Sequence, residues 1–138
     1  MASSMANRPY GRMVEIDAGF DEAVELVTAA LKEQGFGVLT TIEVDRVLKD
    51  KIGVDRDRYV ILGACNPELA NRGLDADIDL GLLLPCNVVV REEEGRRFVT
   101  FVDPAAMLAP AGDTPELQAL TQEATARLTA AAEALASH

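Results

Sequence analysis

The feature that most constrains this chain is a short apolar segment followed at once by a strong helix start. Residues 59–64 (YVILGA) are almost continuously apolar, a pattern typical of a central strand. Asn66 has the character of a helix N-cap, with Pro67 at the first helical position and Glu68 at the second. We therefore expect a domain in which strands and helices share one core.

Further strand and helix patterns continue this mixture along the chain. Strands are predicted at residues 11–16, 36–44, 86–91 and 96–102, and helices at 21–34, 46–52, 66–76 and 114–136, with a short helical turn at 78–84. The order β-α-β-α-β-α-β-β-α predicts an α+β fold, a two-layer sandwich of about five strands with helices on one sheet face. The other face is then solvated or covered by a second copy.

The length and composition fit one domain. The chain has 138 residues, of which 49% are hydrophobic, enough for a single core. We expect residues 1–10 to be a disordered lead-in and residues 11–138 to form a single α+β domain. The last predicted helix has an apolar stripe, so we expect it to dock on the core or on a second subunit.

The charge excludes two classes of partner. The net charge is −10, from 13 basic and 23 acidic residues, which opposes binding to nucleic acid or to an anionic membrane surface. No apolar segment approaches the ~20 residues of a membrane span, and the first twelve residues have no secretory pattern. We expect an acidic cytoplasmic protein whose thiols are reduced.

The residue inventory predicts neither a catalytic residue nor a metal ligand. The single histidine, His138, is the last residue, which removes His-based general bases, Ser-His-Asp and Cys-His pairs, and His metal sites. The segment 35–37 (GFG) lies between a helix and a strand, the reverse of a dinucleotide-binding turn. No cofactor can be named from the sequence.

The candidate site consists of two Cys-Asn pairs. Cys65 and Asn66 end a buried strand and begin a capped helix, while Cys86 and Asn87 begin another strand. One interpretation is a ligand pocket or redox site, since a helix N-terminus favours thiolate and Asn amides can hold a carbonyl. The other is structural: free Cys usually packs, Asn66 is a cap, and Asn87 follows a proline turn. Adjacent antiparallel strands would place both thiols at one sheet end.

Four segments together resemble a known family. They are residues 35–40 (GFGVLT), 61–67 (ILGACNP), 81–88 (GLLLPCNV) and the pair Asp103-Pro104. Over residues 14–107 the chain is similar to the domain-of-unknown-function family 302. The resemblance implies a compact α+β domain of bacteria and archaea, with no established activity, substrate or cofactor. The helix at 114–136 lies beyond the resemblance.

Two functional hypotheses follow. The first is a non-enzymatic protein that forms a homodimer and binds a small ligand or partner through Cys65, Asn66, Cys86 and Asn87. The second is a thiol-dependent redox or soft-metal handling protein that uses Cys65 and Cys86, with a Cu(I) site or half of a zinc site completed across a dimer. The separation and exposure of the two sulfurs discriminate between them.

Overall fold

A six-stranded antiparallel sheet forms one layer of the computed structural model, which describes residues 5–137. The strands are β1 (Met5–Arg8), β2 (Gly11–Ile16), β3 (Gly37–Glu43), β4 (Tyr59–Cys65), β5 (Cys86–Glu93) and β6 (Arg96–Val102). Their order across the sheet is β1-β2-β6-β5-β4-β3, so β1 and β3 are the edge strands. Every neighbouring pair is antiparallel.

The helices form the second layer. They are α1 (Phe20–Glu33), α2 (Val44–Ile52), α3 (Pro67–Ala76), α4 (Pro104–Leu108) and α5 (Pro115–Ala136), with a 3-10 segment at Ile78–Leu83. The side chains of Asn66, Asp103 and Thr114 each accept a backbone N–H at the start of α3, α4 and α5, at 3.1, 3.1 and 3.3 Å. The hydrogen bond from Leu69 confirms the predicted cap at Asn66. A cap of this kind stabilises its helix by about 0.5–2 kcal/mol relative to alanine.

The core lies between one face of the sheet and helices α1, α3 and α5. Alternate strand residues point into it, as the period of two along a strand requires. Its sheet side consists of Val14, Ile16, Val60, Leu62, Val88, Val90, Val99 and Phe101, all buried. This arrangement confirms the α+β prediction, although the sheet has six strands where about five were expected.

Helix α5 packs along the core, as its apolar stripe predicts. Its buried residues are Leu117, Leu120, Ala124, Leu128, Ala131, Ala132 and Leu135. Each buried leucine contributes about 1.5–3 kcal/mol relative to an exposed one. The helix contacts α1, α3, α4 and β2, so it belongs to the core and is not a free tail.

The outer face of the sheet is partly covered by its own arginines. The guanidinium groups of Arg91 and Arg96 lie 4.7 and 5.1 Å from the ring centre of Phe98. Arg96 also donates two hydrogen bonds to the Glu15 carboxylate, at 2.6 and 2.9 Å. These side chains shield Phe98 from water, so the middle of this face is not a bare apolar surface.

Two elements differ from the sequence-based expectation. Met5–Arg8 forms β1 and pairs with β2, in place of the disordered lead-in expected for residues 1–10. Residues 1–4 of that lead-in lie outside the described residues. Pro104–Leu108 forms α4, where no helix was predicted. Within residues 5–137, no helix is long and apolar enough to cross a membrane.

Candidate functional site

The candidate site lies where β4 ends and β5 begins. These antiparallel neighbours place Ala64 opposite Cys86 and Gly63 opposite Asn87. The pairing brings the two Cys-Asn segments to the same end of the sheet, as expected for adjacent antiparallel strands. Around this end, β3, α3, α4, α5 and the 3-10 segment enclose a cavity of about 310 Å³.

The wall of the cavity is almost entirely apolar. Its apolar lining consists of Phe36, Leu39, Ala64, Leu69, Ala70, Leu80, Leu84, Pro85, Met107, Leu108, Leu120 and Ala124. Thr40, Cys65, Asn66 and Cys86 supply the polar groups. No charged side chain is found among the lining residues from the described part of the chain. A charged ligand would therefore lose hydration here without gaining an ionic partner.

Both cysteines line the cavity, from different positions on the sheet. Cys86 is buried on the helix side, because it lies opposite Ala64 in the ladder. Cys65 is half-buried and lies one residue further along β4. Both cysteines are free. They are close enough for the charge of a Cys65 thiolate to affect the pKa of Cys86.

The environment of Cys86 disfavours its thiolate. Burial, with a smaller contribution from the neighbouring Cys65, raises the pKa of the Cys86 thiol to about 11. Because the thiolate is the form that attacks electrophiles and binds metals, Cys86 is poorly suited to either task at neutral pH. Across residues 5–137, no three His, Cys, Asp or Glu side chains are grouped to hold a metal ion.

Asn66 positions two backbone segments beside the cavity, the first turn of α3 and the loop before β3. It is buried, and its Oδ1 accepts the N–H of Leu69 at 3.1 Å, which fixes the start of α3. Its Nδ2 lies against Gly35, where an added Cβ would come within 2.9 Å. Gly35 has a φ of +83°, a conformation that glycine adopts without strain. Asn66 thus holds the first turn of α3 close to the loop before β3.

Asn87 is the one predicted site residue that does not line the cavity. Asn87 is exposed and lies opposite Gly63 in the ladder. The residues on either side of Gly63 in β4 face the core, so Gly63 and Asn87 belong to the other face of the sheet. The structure therefore brings together Cys65, Asn66 and Cys86 and leaves Asn87 on the other side of the sheet.

A close approach around Gly63 is a feature of the site that the sequence reasoning missed. A Cβ added at Gly63 would lie 2.2 Å from Thr40 Oγ1 and 2.9 Å from Pro85 Cγ. Thr40 and Pro85 both line the cavity, and they reach β4 only because position 63 has no side chain. A glycine inside an otherwise apolar strand was the available signal, since such a residue often marks close approach of another chain segment.

Comparison with known proteins shows which family the chain matches. The family model described as "Domain of unknown function DUF302" matches residues 13–135. A solved structure, "Crystal structure of uncharacterized conserved protein DUF302 from Bacillus stearothermophilus", has a TM-score of 0.85 and is 30% identical, covering 93% of this chain and 99% of that chain. No curated protein matches. The family match includes α5, which the resemblance over residues 14–107 left outside.

The raised pKa of Cys86 predicts that its thiol is alkylated slowly in the folded protein. In a Cys65→Ser variant, Cys86 should react with iodoacetamide at pH 8 at least tenfold more slowly than in urea, because burial, the larger cause of its raised pKa, remains and lowers the thiolate fraction. Alkylation followed by mass spectrometry measures both rates. Equal rates in the native and unfolded states would contradict the assigned environment.

The same shift predicts a pH dependence of stability. The folded state raises the pKa of Cys86, so the bound proton stabilises folding below about pH 9, and this stabilisation is lost as pH rises towards 11. A Cys86→Ala variant should therefore lose less of its melting temperature between pH 9 and 11 than the wild type does. Identical pH profiles for the two proteins would argue against a buried, protonated thiol.

Proposed function

The chain belongs to the DUF302 family, a family of unknown function, and we propose that it binds a small, uncharged and largely apolar molecule in the cavity between β4, β5, α3 and α5. One observation carries the proposal: a cavity of about 310 Å³ at the end of the sheet is lined by apolar side chains and by no charge from the described residues. That volume is at the lower end of the range for small-molecule sites, about 300–1,000 Å³.

The polar groups of the wall favour a ligand with one neutral hydrogen-bonding group. The Thr40 hydroxyl can donate and accept, and a thiol is a weak donor. Asn66 is less available, since its oxygen already caps α3. An alcohol, aldehyde or ketone on an apolar body matches these groups. Both thiols are expected to stay reduced in the cytoplasm, the compartment we propose for the protein.

Self-association is the second part of the proposal. Five apolar side chains on and beside the edge strand β3 are exposed, and we call them the edge patch: Leu39, Ile42, Val47, Ile52 and Val54. The free edge of β3 also has backbone groups available for pairing with another strand. A second copy, related by a two-fold axis, would pair β3 with β3 and cover both patches.

The edge patch and the cavity meet at Leu39. This residue lines the cavity, and 70% of its surface is exposed. A dimer formed through β3 would therefore lie beside the entrance and restrict access to the cavity. Leu39 therefore connects ligand binding with self-association, because a dimer formed through β3 would shield a bound apolar ligand from water.

Ligand binding is tested with an uncharged fluorescent probe, N-phenyl-1-naphthylamine. Octan-1-ol should displace the probe, whereas octanoate should displace it at least tenfold less effectively, since the cavity has no counter-charge. Ala124→Phe fills the cavity from α5 and should abolish probe binding. Ala126→Phe, on the exposed side of the same helix, is the matched control and should bind as the wild type does.

Two results would contradict the ligand proposal. One is equal displacement by octanoate and octan-1-ol. The other is unchanged probe binding in Ala124→Phe. If that variant fails to fold by circular dichroism, Ala70→Val fills less of the same cavity from α3 and should weaken binding.

The dimer is tested by light scattering at tens of micromolar protein. The wild type should give about twice the chain mass of 14.8 kDa. Ile42→Lys should give the single-chain mass, because it places a charge in the edge patch. Leu82→Lys changes a side chain that is 87% exposed in the 3-10 segment and should remain dimeric. A monomeric wild type, or dissociation by Leu82→Lys alone, would overturn the proposed interface.

A further inference from the structure

A second cleft lies on the other half of the sheet. It is bounded by β1, β2 and the end of β6 on one side and by α5 on the other, and it has a volume of about 440 Å³. Unlike the apolar cavity, it has a polar rim, formed by Asn7, Arg8, Arg12, Asp103, Thr125 and Thr129. Helix α5 separates the two spaces, since Ala124 lines the cavity and Thr125 lines the cleft.

The cleft contains arginines that have no carboxylate partner. Seven of the ten arginines lie within 4.0 Å of a carboxylate oxygen, namely Arg46, Arg58, Arg72, Arg91, Arg96, Arg97 and Arg127. Within residues 5–137, Arg8, Arg12 and Arg56 have no such contact, and two of these three line the cleft. Arg12 faces the helix layer, because it lies two residues before the core residue Val14 on β2. Arg8 pairs with Gly11, so its side chain leaves the other face of the sheet at the edge of the cleft. In a chain with 23 acidic residues, the unpaired guanidinium group of Arg12 marks the cleft as a positive site.

Two threonines line the cleft from the helix. Thr125 and Thr129 are four residues apart on α5, so they lie on the same side of the helix, and both are half-buried. Guanidinium and hydroxyl donors together suit an oxyanion, and a guanidinium can bind a carboxylate or phosphate through two parallel hydrogen bonds. The buried side chains of Phe101 and Leu128 form an apolar floor beneath them.

One carboxylate also lines the cleft. Asp103 is half-buried, and its Oδ1 accepts the N–H of Ala105 at 3.1 Å, which caps α4. Arg12 does not lie within 4.0 Å of this carboxylate among the ion pairs of residues 5–137, so its guanidinium group stays free for a ligand. The Asp103 side of the cleft therefore repels the anionic head of a ligand and directs it towards β1 and β2.

From these groups we infer that the cleft binds the oxyanion group of a small organic anion, a carboxylate or a phosphate monoester, with Arg12 holding the charge. The apolar part of that molecule lies on Phe101 and Leu128. The site is separate from the uncharged-ligand cavity, so either proposal can fail without the other.

The test is titration of the full chain with phenyl phosphate, and separately with benzoate, followed by amide NMR at low ionic strength. At least one of these anions should saturably shift the amides of Thr125 and Thr129, and added salt should weaken the binding. Benzyl alcohol, the uncharged analogue, should leave those two amides unshifted. Arg12→Gln should weaken binding at least tenfold.

Arg56→Gln is the matched control, because Arg56 is also unpaired in the described chain but lies outside the cleft, among the residues before β4. It should bind as the wild type does. If Arg12→Gln fails to fold, Arg12→Lys provides a second variant, which keeps the charge but loses the two-pronged guanidinium group and should still weaken binding. The inference is overturned if neither anion gives saturable shifts at Thr125 and Thr129, if benzyl alcohol gives the same shifts, or if Arg56→Gln weakens binding as much as Arg12→Gln.

Discussion

The missing side chain at Gly63 sets how closely three segments meet at the end of β4. Thr40 of β3 and Pro85 ahead of β5 both occupy space that a Cβ would need, at 2.2 and 2.9 Å from its position. Close-packed interiors do not absorb overlaps of this size without moving backbone or side chains. The spacing of β3, β4 and β5 at this end of the sheet, and with it one wall of the cavity, therefore depends on glycine.

The helix layer of the cavity depends on a similar small residue. A Cβ at Gly73 of α3 would lie 2.5 Å from Leu80 Cδ2 and 3.1 Å from Leu120 Cδ2. Leu80 and Leu120 line the cavity, so this contact draws the 3-10 segment and α5 against α3. The Asn66 cap fixes where α3 begins, and Gly73 sets how closely the 3-10 segment and α5 approach this helix. Gly63 does the same for the segments around β4. A space lined by apolar groups remains at the centre of these contacts.

Local sequence signals predicted the elements better than their arrangement. The caps at Asn66 and Thr114 and the hairpin strands β5 and β6 follow from short-range patterns, because a cap or a turn involves only nearby residues. The edge strand β1 has four exposed residues and no apolar alternation, so only its pairing with β2 reveals it. Non-local pairing also decides the site. Residues 64 and 86 are opposite each other because β4 and β5 are antiparallel neighbours, and this same pairing leaves Asn87 on the far side. The cleft beside Arg12 likewise depends on a non-local contact, the packing of α5 against β2.

We propose that the space between Cys86, Leu69 and Leu120 is a binding site for an uncharged ligand. The most direct measurement is a crystal structure of the protein soaked with octan-1-ol, refined beside an untreated crystal. We expect alkyl density in contact with Leu69 and Leu120, with the hydroxyl directed towards the polar groups of the cavity wall. An unchanged cavity at saturating octan-1-ol, or alcohol found only on the edge patch, would contradict it.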